Sequence, residues 1–372
     1  MTDARDAQPD PLRDASLPAA RLQGVDVARA LALLGMIATH VGGIAEQVDW
    51  ADPGTWAAVA HGRSSSAFAV LAGVSIGLTS GRERPPGPPA IGRIRGRLAL
   101  RAAVVVAIGL WLMALRTPVY VILPTYGVLF LLVVPVLRLR ARWLLVAAGA
   151  CAVLSPVVAV SIAPLYADAG MWEVQLGLVY PVVTFLAYVL VGLAVVRAGL
   201  GRRRQVVLLV SGAVAAAVAY VTGNVLAPVP PDAASAFPGV PYAGEGSTAA
   251  QALAQLFLSP RDHSSSVVDV VGTAGVAVAV IALCTLVFDG RGRTARRVAF
   301  PLAAVGSMPL TVYAGHLVVL ASLPSYPDSG AAWGWFAIGS VLFAMVWRRF
   351  LGRGPLERLT ATVTGVVPDP AR

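Results

Sequence analysis

Residues 143–164, WLLVAAGACAVLSPVVAVSIAP, contain no charged side chain. Such a run is about the length a helix needs to cross the hydrocarbon of a bilayer. Similar runs recur from residue 25 to residue 347, and they leave little room for a water-soluble core. Hydrophobic residues make up 57% of the chain and charged residues 13%. Soluble domains carry about 45–50% and about 25%. The sequence therefore predicts an all-α polytopic membrane bundle. Spans are expected at about 25–44, 64–80, 98–116, 119–137, 143–164, 176–196, 206–226, 267–288, 300–322 and 332–347, about ten in all. The first 20 residues are polar and acidic with no apolar stretch, so no cleaved signal is expected and the first span is retained.

All 29 basic residues are arginine, and the formal net charge is +10. In a soluble protein that balance would raise the question of nucleic acid. Here arginine position gives a different reading. With the N-terminus inside, 25 of the 29 arginines fall on the cytoplasmic side, as the positive-inside rule requires. Both termini are then cytoplasmic, odd-numbered spans run outward, and nucleic acid is not an expected partner. The chain divides into a polar, disordered N-terminus at 1–20, a membrane-embedded domain at 21–347 with an outer loop at 227–265, and a juxtamembrane tail at 348–372. Cys151 and Cys284 lie inside apolar runs, which excludes a disulfide framework.

Charge this scarce makes each ionisable residue within a span worth explaining, because burying one in lipid costs about 3 kcal/mol or more. The first span, GVDVARALALLGMIATHVGG, holds Asp26, Arg29 and His40. Asp26 and Arg29 are one turn apart, the spacing of a helical ion pair. Arg29 and His40 lie on one stripe, roughly 16 Å apart along the axis. An anion-binding group thus sits at the inner end and a proton-transfer group at the outer end. His61, His263 and His316 also fall at the outer side or in the outer half, beside Arg63, Arg116, Asp262 and Asp269. Imidazoles at that level suit general acid–base chemistry near neutral pH. Structural readings stand beside these: Asp26 and Arg29 as an interfacial anchor, His40 as a satisfied interior histidine, His61 and His263 as loop residues. No HxxxH or HExxH spacing exists, so a metal is not expected. Tyr126, Tyr180, Tyr188, Ser307, Thr311 and Tyr313 place hydroxyls within spans, and Gly73, Gly77 and Gly127 suit close helix contact.

The stretch VDVARALA through His40 resembles the opening of the transmembrane acyltransferase superfamily. In its acyltransferase-3 branch an arginine and a histidine with ten residues between them in the first span are the functional pair, and Arg29 and His40 match them. The chain as a whole resembles the YeiB-like proteins related to heparan-α-glucosaminide N-acetyltransferase. The likeness is carried by GRSSSAFAVLAGVSIGL at 62–78, YGVLFLL at 126–132, HSSSVVDVVGTAGVAVAVI at 263–281, SMPLTVYAGHLVVL at 307–320 and GPLERL at 354–359.

The resemblance implies transfer of an acyl group, commonly acetyl, from cytoplasmic acyl-CoA to an extracytoplasmic sugar or glycolipid acceptor. Acyl-CoA, with acetyl-CoA first in line, is the co-substrate. Arg29 and Arg63 would bind it, while His40 would be general base or acyl carrier, with Asp26, His316 and His61 in support. In heparan-type enzymes the catalytic histidine precedes the second span, roughly where His61 stands. The loop spacing around His61 departs from theirs, so His40 is favoured. A multi-pass protein of a bacterial plasma membrane is expected, and a homodimer is compatible with the sequence. The competing readings are a transporter or flippase for a small molecule or lipid-linked precursor, and a non-catalytic membrane partner.

Overall fold

A computed structural model describes residues 22–367, apart from 46, 47, 49, 50, 167–169, 171–173, 175–177, 230–241, 243 and 245. The predicted N-terminal segment 1–20 and most of the outer loop's proline-rich start lie outside the described residues.

The described residues are helical, with no strand among them. In chain order the helices are α1 (Gln23–Val41), α2 (Arg63–Thr79), α3 (Pro88–Ala114), α4 (Leu123–Val133) and α5 (Ala141–Ile162). Then follow α6 (Val182–Ala198), α7 (Arg202–Leu226), α8 (Ala249–Leu258) and α9 (Val267–Phe288). The last are α10 (Arg293–Ser307), α11 (Pro309–Ser322), α12 (Gly330–Phe350) and α13 (Pro355–Thr364). This is a helical membrane bundle.

The count of ten spans is not established. Six helices are long and apolar enough to cross a bilayer, or seven if α10 and α11 form one bent span. Helices α2 and α6, at 17 residues each, fall just short of that length, and proline acts at two further places. The fourth predicted span shrinks to α4, because Pro135 ends it in a short 3-10 turn, Val134–Val136. The ninth is not continuous. Met308 leaves the helical region just before Pro309, and α10 and α11 meet at 70°. A residue preceding proline is disfavoured in helical geometry, so SMPL is a natural break.

Close packing comes from small residues, since helices in lipid gain little from burying apolar surface against one another. A Cβ at Gly73 would lie 2.0 Å from the Val189 carbonyl oxygen, and one at Gly192 1.8 Å from that of Val70. These two glycines let α2 and α6 touch backbone to backbone. Gly212 and Gly275 do the same for α7 and α9, and Gly306 brings α10 onto α1 at Asp26. Tyr188, Phe185, Leu33 and Ile37 are among the largest side chains fully enclosed. Outside, Val210, Val214, Val218 and Val221 run along an exposed face of α7, the apolar exterior a bilayer demands.

The bundle has an arginine-rich end and a histidine-rich end. At the first, Arg197 of α6 donates to the carbonyls of Ser80, Arg82 and Leu137 and so ties the α2–α3 and α4–α5 connections together. Helix α13 docks at this end, where Arg97 also donates to the Val367 carbonyl. The Glu357 carboxylate accepts from the Leu310 and Thr311 amides at 2.7 and 3.2 Å and from the Thr311 hydroxyl at 2.5 Å. The tail therefore caps the first turn of α11.

Candidate functional site

The last turn of α1 carries His40, and the second turn of α11 carries His316. His40 Nδ1 and His316 Nε2 are 3.1 Å apart. The rings stack at 5.3 Å with an 11° interplanar angle. One nitrogen donates and the other accepts, so the pair can hold or pass a proton. Tyr313 stands edge-on to His316 at 5.2 Å, and its hydroxyl accepts from the Ile122 amide. The end of α1 is held in place by its surroundings: Tyr326 donates to the His40 carbonyl and the Ser329 amide to that of Val41.

His40 lines a small cavity, about 60 Å3, at the histidine-rich end. Around it stand His61, His263, Ser64, Ser65, Tyr180 and Tyr313. Three of the four histidines thus share one polar space, while the fourth, His316, is hydrogen-bonded to His40 and lines a separate groove between α11 and α12. His61 is brought there by a 3-10 turn, Pro53–Ala60, which Asp52 caps. Gly62 follows at φ 63°, and a Cβ there would press on Asp262 and His263.

His263 is delivered by the turn between α8 and α9. Both His263 and Ser265 adopt the left-handed region, at φ 53° and 58°. Residues other than glycine pay for that conformation, and hydrogen bonds hold it here. Ser266 Oγ donates to the Ser259 carbonyl at 2.5 Å and also caps α9 by accepting from the Asp269 amide. The Thr184 hydroxyl donates to Ser265 Oγ at 3.1 Å. Burial holds the His263 imidazole below its ordinary value, with Arg261, Arg63 and His61 acting in the same sense and Asp262 opposing them.

Arg63 opens α2 but does not line the cavity. Its Nε donates to the Tyr220 hydroxyl at 3.2 Å, and its guanidinium lies 5.0 Å from that ring's centre. Tyr220 pairs with Thr273, which donates to Asp269. A polar chain therefore runs across α2, α7 and α9 beside the histidines.

The other half of the stripe lies near the arginine-rich end. Arg29 Nη1 bonds Asp26 at 2.7 Å and the Gly306 carbonyl at 2.9 Å, and Nη2 bonds Ser75 Oγ at 3.1 Å. Arg29 thereby joins α1 to α2 and to the end of α10, just before the break at Met308. Arg29 and His40 sit near opposite ends of one helix, and α11 connects their two neighbourhoods.

Of the hydroxyls within predicted spans, Tyr180 and Tyr313 line the cavity and Thr311 lines the larger groove, whereas Tyr126, Tyr188 and Ser307 line neither. Ser64, Ser65, Tyr220, Thr273 and Glu357 were not singled out as site residues. The runs GRSSS, HSSSVVDVVGTAGVAVAVI and GPLERL contain four of them and were legible only as likeness. Among the described residues no group of three or more His, Cys, Asp and Glu side chains is placed to hold a metal.

No curated protein matches this chain. A family model described as heparan-alpha-glucosaminide N-acetyltransferase, catalytic, matches residues 21–226. That match takes in α1 through α7, and with them Asp26, Arg29, His40, His61 and Arg63. His263 and His316, the partners these residues meet in space, lie beyond it. Covering more than half of the sequence, the match places the chain in the heparan-alpha-glucosaminide N-acetyltransferase catalytic family.

Proposed function

We propose that the protein is an integral plasma-membrane acyltransferase. It moves an acyl group, acetyl by family, from cytoplasmic acyl-CoA to an extracytoplasmic carbohydrate or glycolipid. The observation that carries this reading is the His40–His316 pair beside a polar cavity, at the opposite end of α1 from Arg29. Arginine position supports placing the Arg29 end at the cytoplasm.

His40 Nδ1 faces His316, so its Nε2 is the nitrogen available to an acceptor. An acceptor hydroxyl or amine gives its proton to Nε2 as its lone pair attacks the thioester carbonyl. The carbon–sulfur bond breaks, the new ester or amide forms, and the proton leaves with the CoA sulfur. His316 steadies the imidazolium by accepting from Nδ1–H. The Tyr313 and Ser64 hydroxyls line the same cavity and can donate to a developing oxyanion, whereas those of Tyr180 and Ser65 donate to the Tyr120 and Gly62 carbonyls. In a double-displacement variant, Nε2 carries the acyl group itself. Arg29 and Arg63 then serve the donor's anionic groups or hold the frame in which it binds.

The test is acetyl transfer from acetyl-CoA by purified protein in vesicles with no ion gradient. Transfer by the wild type and its loss in His40→Ala is the expected result. Full activity in His40→Ala overturns the mechanism. Gradient-dependent movement of a solute without acyl transfer would place the protein among transporters.

A further inference from the structure

Helices α11 and α12 stand apart, and the gap between them is a cavity of about 690 Å3. Val312 and Val319 of α11 and Trp335, Phe336 and Phe343 of α12 form its walls. His316, the imidazole bonded to His40, lies on the α11 side. Thr311 and Ser340 are the other polar lining residues, and the Thr311 hydroxyl is already committed to Glu357. The cavity opens sideways. Trp335 is 76% exposed, Val319 50% and Phe343 43%, so the sides of α11 and α12 that carry them face away from the bundle centre. In a membrane protein that direction is hydrocarbon.

The volume decides what fits. At about 30 Å3 per water the cavity equals some twenty waters, far more than an acetyl group occupies. Walls of valine, phenylalanine and tryptophan do not retain water, so a hydrocarbon chain is the matching occupant. A two-carbon acyl group supplies no such chain, which leaves the acceptor. We propose that this cavity binds the hydrocarbon tail of a lipid-anchored acceptor beside His316, one imidazole away from the small cavity in which His40 Nε2 meets the acceptor's hydroxyl or amine. The inference rests on the acyltransferase reading and narrows its acceptor to a membrane lipid.

Gly315 and Gly339 make the cavity testable, because a Cβ at either meets nothing within 4 Å. Leucine at both positions adds side chain to the lining with its Cβ meeting no neighbour. The probe is a long-chain alkyl glucoside with a diazirine at its chain end, photolysed with the full-length protein in phosphatidylcholine nanodiscs. Labelling is expected to be saturable and to map to α11 and α12. An unlabelled long-chain glucoside should compete and methyl glucoside should not, and G315L/G339L should weaken labelling about tenfold or more. Equal labelling of Val210, Val214 and Val218 on α7, or labelling indifferent to the variant, means plain bilayer contact and overturns the proposal. A change of oligomeric state in G339L with unchanged labelling assigns the gap to a second copy and overturns it too. Specific labelling without acetyl-CoA turnover leaves the lipid site standing and removes the acyltransferase reading instead.

Discussion

His40 and His316 are separated by 276 residues in sequence and by 3.1 Å between ring nitrogens in space. One comes from the matched family region and the other from the half-helix after a break. Neither histidine alone defines a site. Together they make a two-imidazole unit in which, on the proposed mechanism, a proton taken at His40 Nε2 is balanced at Nδ1.

That relationship predicts an effect of His316 on rate rather than on binding. His316→Ala is expected to lower kcat for acyl transfer by about 100-fold, the low end for a lost acid–base partner, with KM for acetyl-CoA little changed. His316→Gln keeps a hydrogen-bonding group and should recover part of the loss. The pH–rate profile checks the role: its acidic limb should move in His316→Ala, which a purely structural histidine would not cause.

Arg29 is held by Asp26, Gly306 and Ser75, so its removal should cost stability. Breaking a buried ion pair from one side costs about 3–5 kcal/mol, because the remaining charge is stranded. Thermal unfolding in detergent should show a lower midpoint for Arg29→Ala, partly restored in the double variant Asp26→Ala/Arg29→Ala. A raised KM for acyl-CoA with an unchanged midpoint would assign Arg29 to the donor alone.

Glu357 should act at a distance through α11. Its carboxylate accepts both free amides at the start of the helix that carries His316. Loss of such a cap costs about 1–2 kcal/mol. Glu357→Ala is expected to lower the unfolding midpoint and kcat together while leaving KM unchanged, and Glu357→Gln should keep much of both. Equal kcat in wild type and Glu357→Ala would show that the cap does not align His316.

The His263 turn predicts a pH dependence of stability. Burial keeps this imidazole neutral in the folded state below its ordinary value. The unfolded chain binds that proton at about pH 6.5, so the folded state is disfavoured progressively as pH falls below that value. Above it both states are neutral and the contribution vanishes. The unfolding midpoint should fall between pH 7 and pH 5, and His263→Gln should flatten the slope. Asp262, Arg261, Arg63 and His61 face the same group and remain in both proteins, which isolates the His263 contribution.

Much of the fold was legible because lipid imposes a simple rule: long uncharged runs must be helices. The runs that became α1, α5, α7 and α9 agree with expectation within a few residues. Departures came at the start of α3, ten residues earlier than the expected 98, and at two prolines. Pro135 shortened the fourth run, and Pro309 broke the ninth so that His316 lies two turns into a new helix instead of deep in an old one. The Asp26–Arg29 pair was readable from spacing alone, since i, i+3 neighbours share a helix face. Tyr220, Thr273 and Glu357 were not. A tyrosine or glutamate in sequence carries no mark of the helix it will meet.

The sequence by itself determined the solvent, the helical class and the short set of residues whose presence in lipid needs a reason. Those follow from the free energy of moving charge and backbone into hydrocarbon, which depends on composition and order along the chain. Tertiary structure alone decided which of those residues meet. Helix adjacency is set by backbone contact at Gly73 and Gly192, by Gly306 against Asp26, and by the bend at Met308. These are short-range steric matters that hydropathy does not record. They turned four histidines scattered from residue 40 to residue 316 into one polar cavity and the pair that backs it.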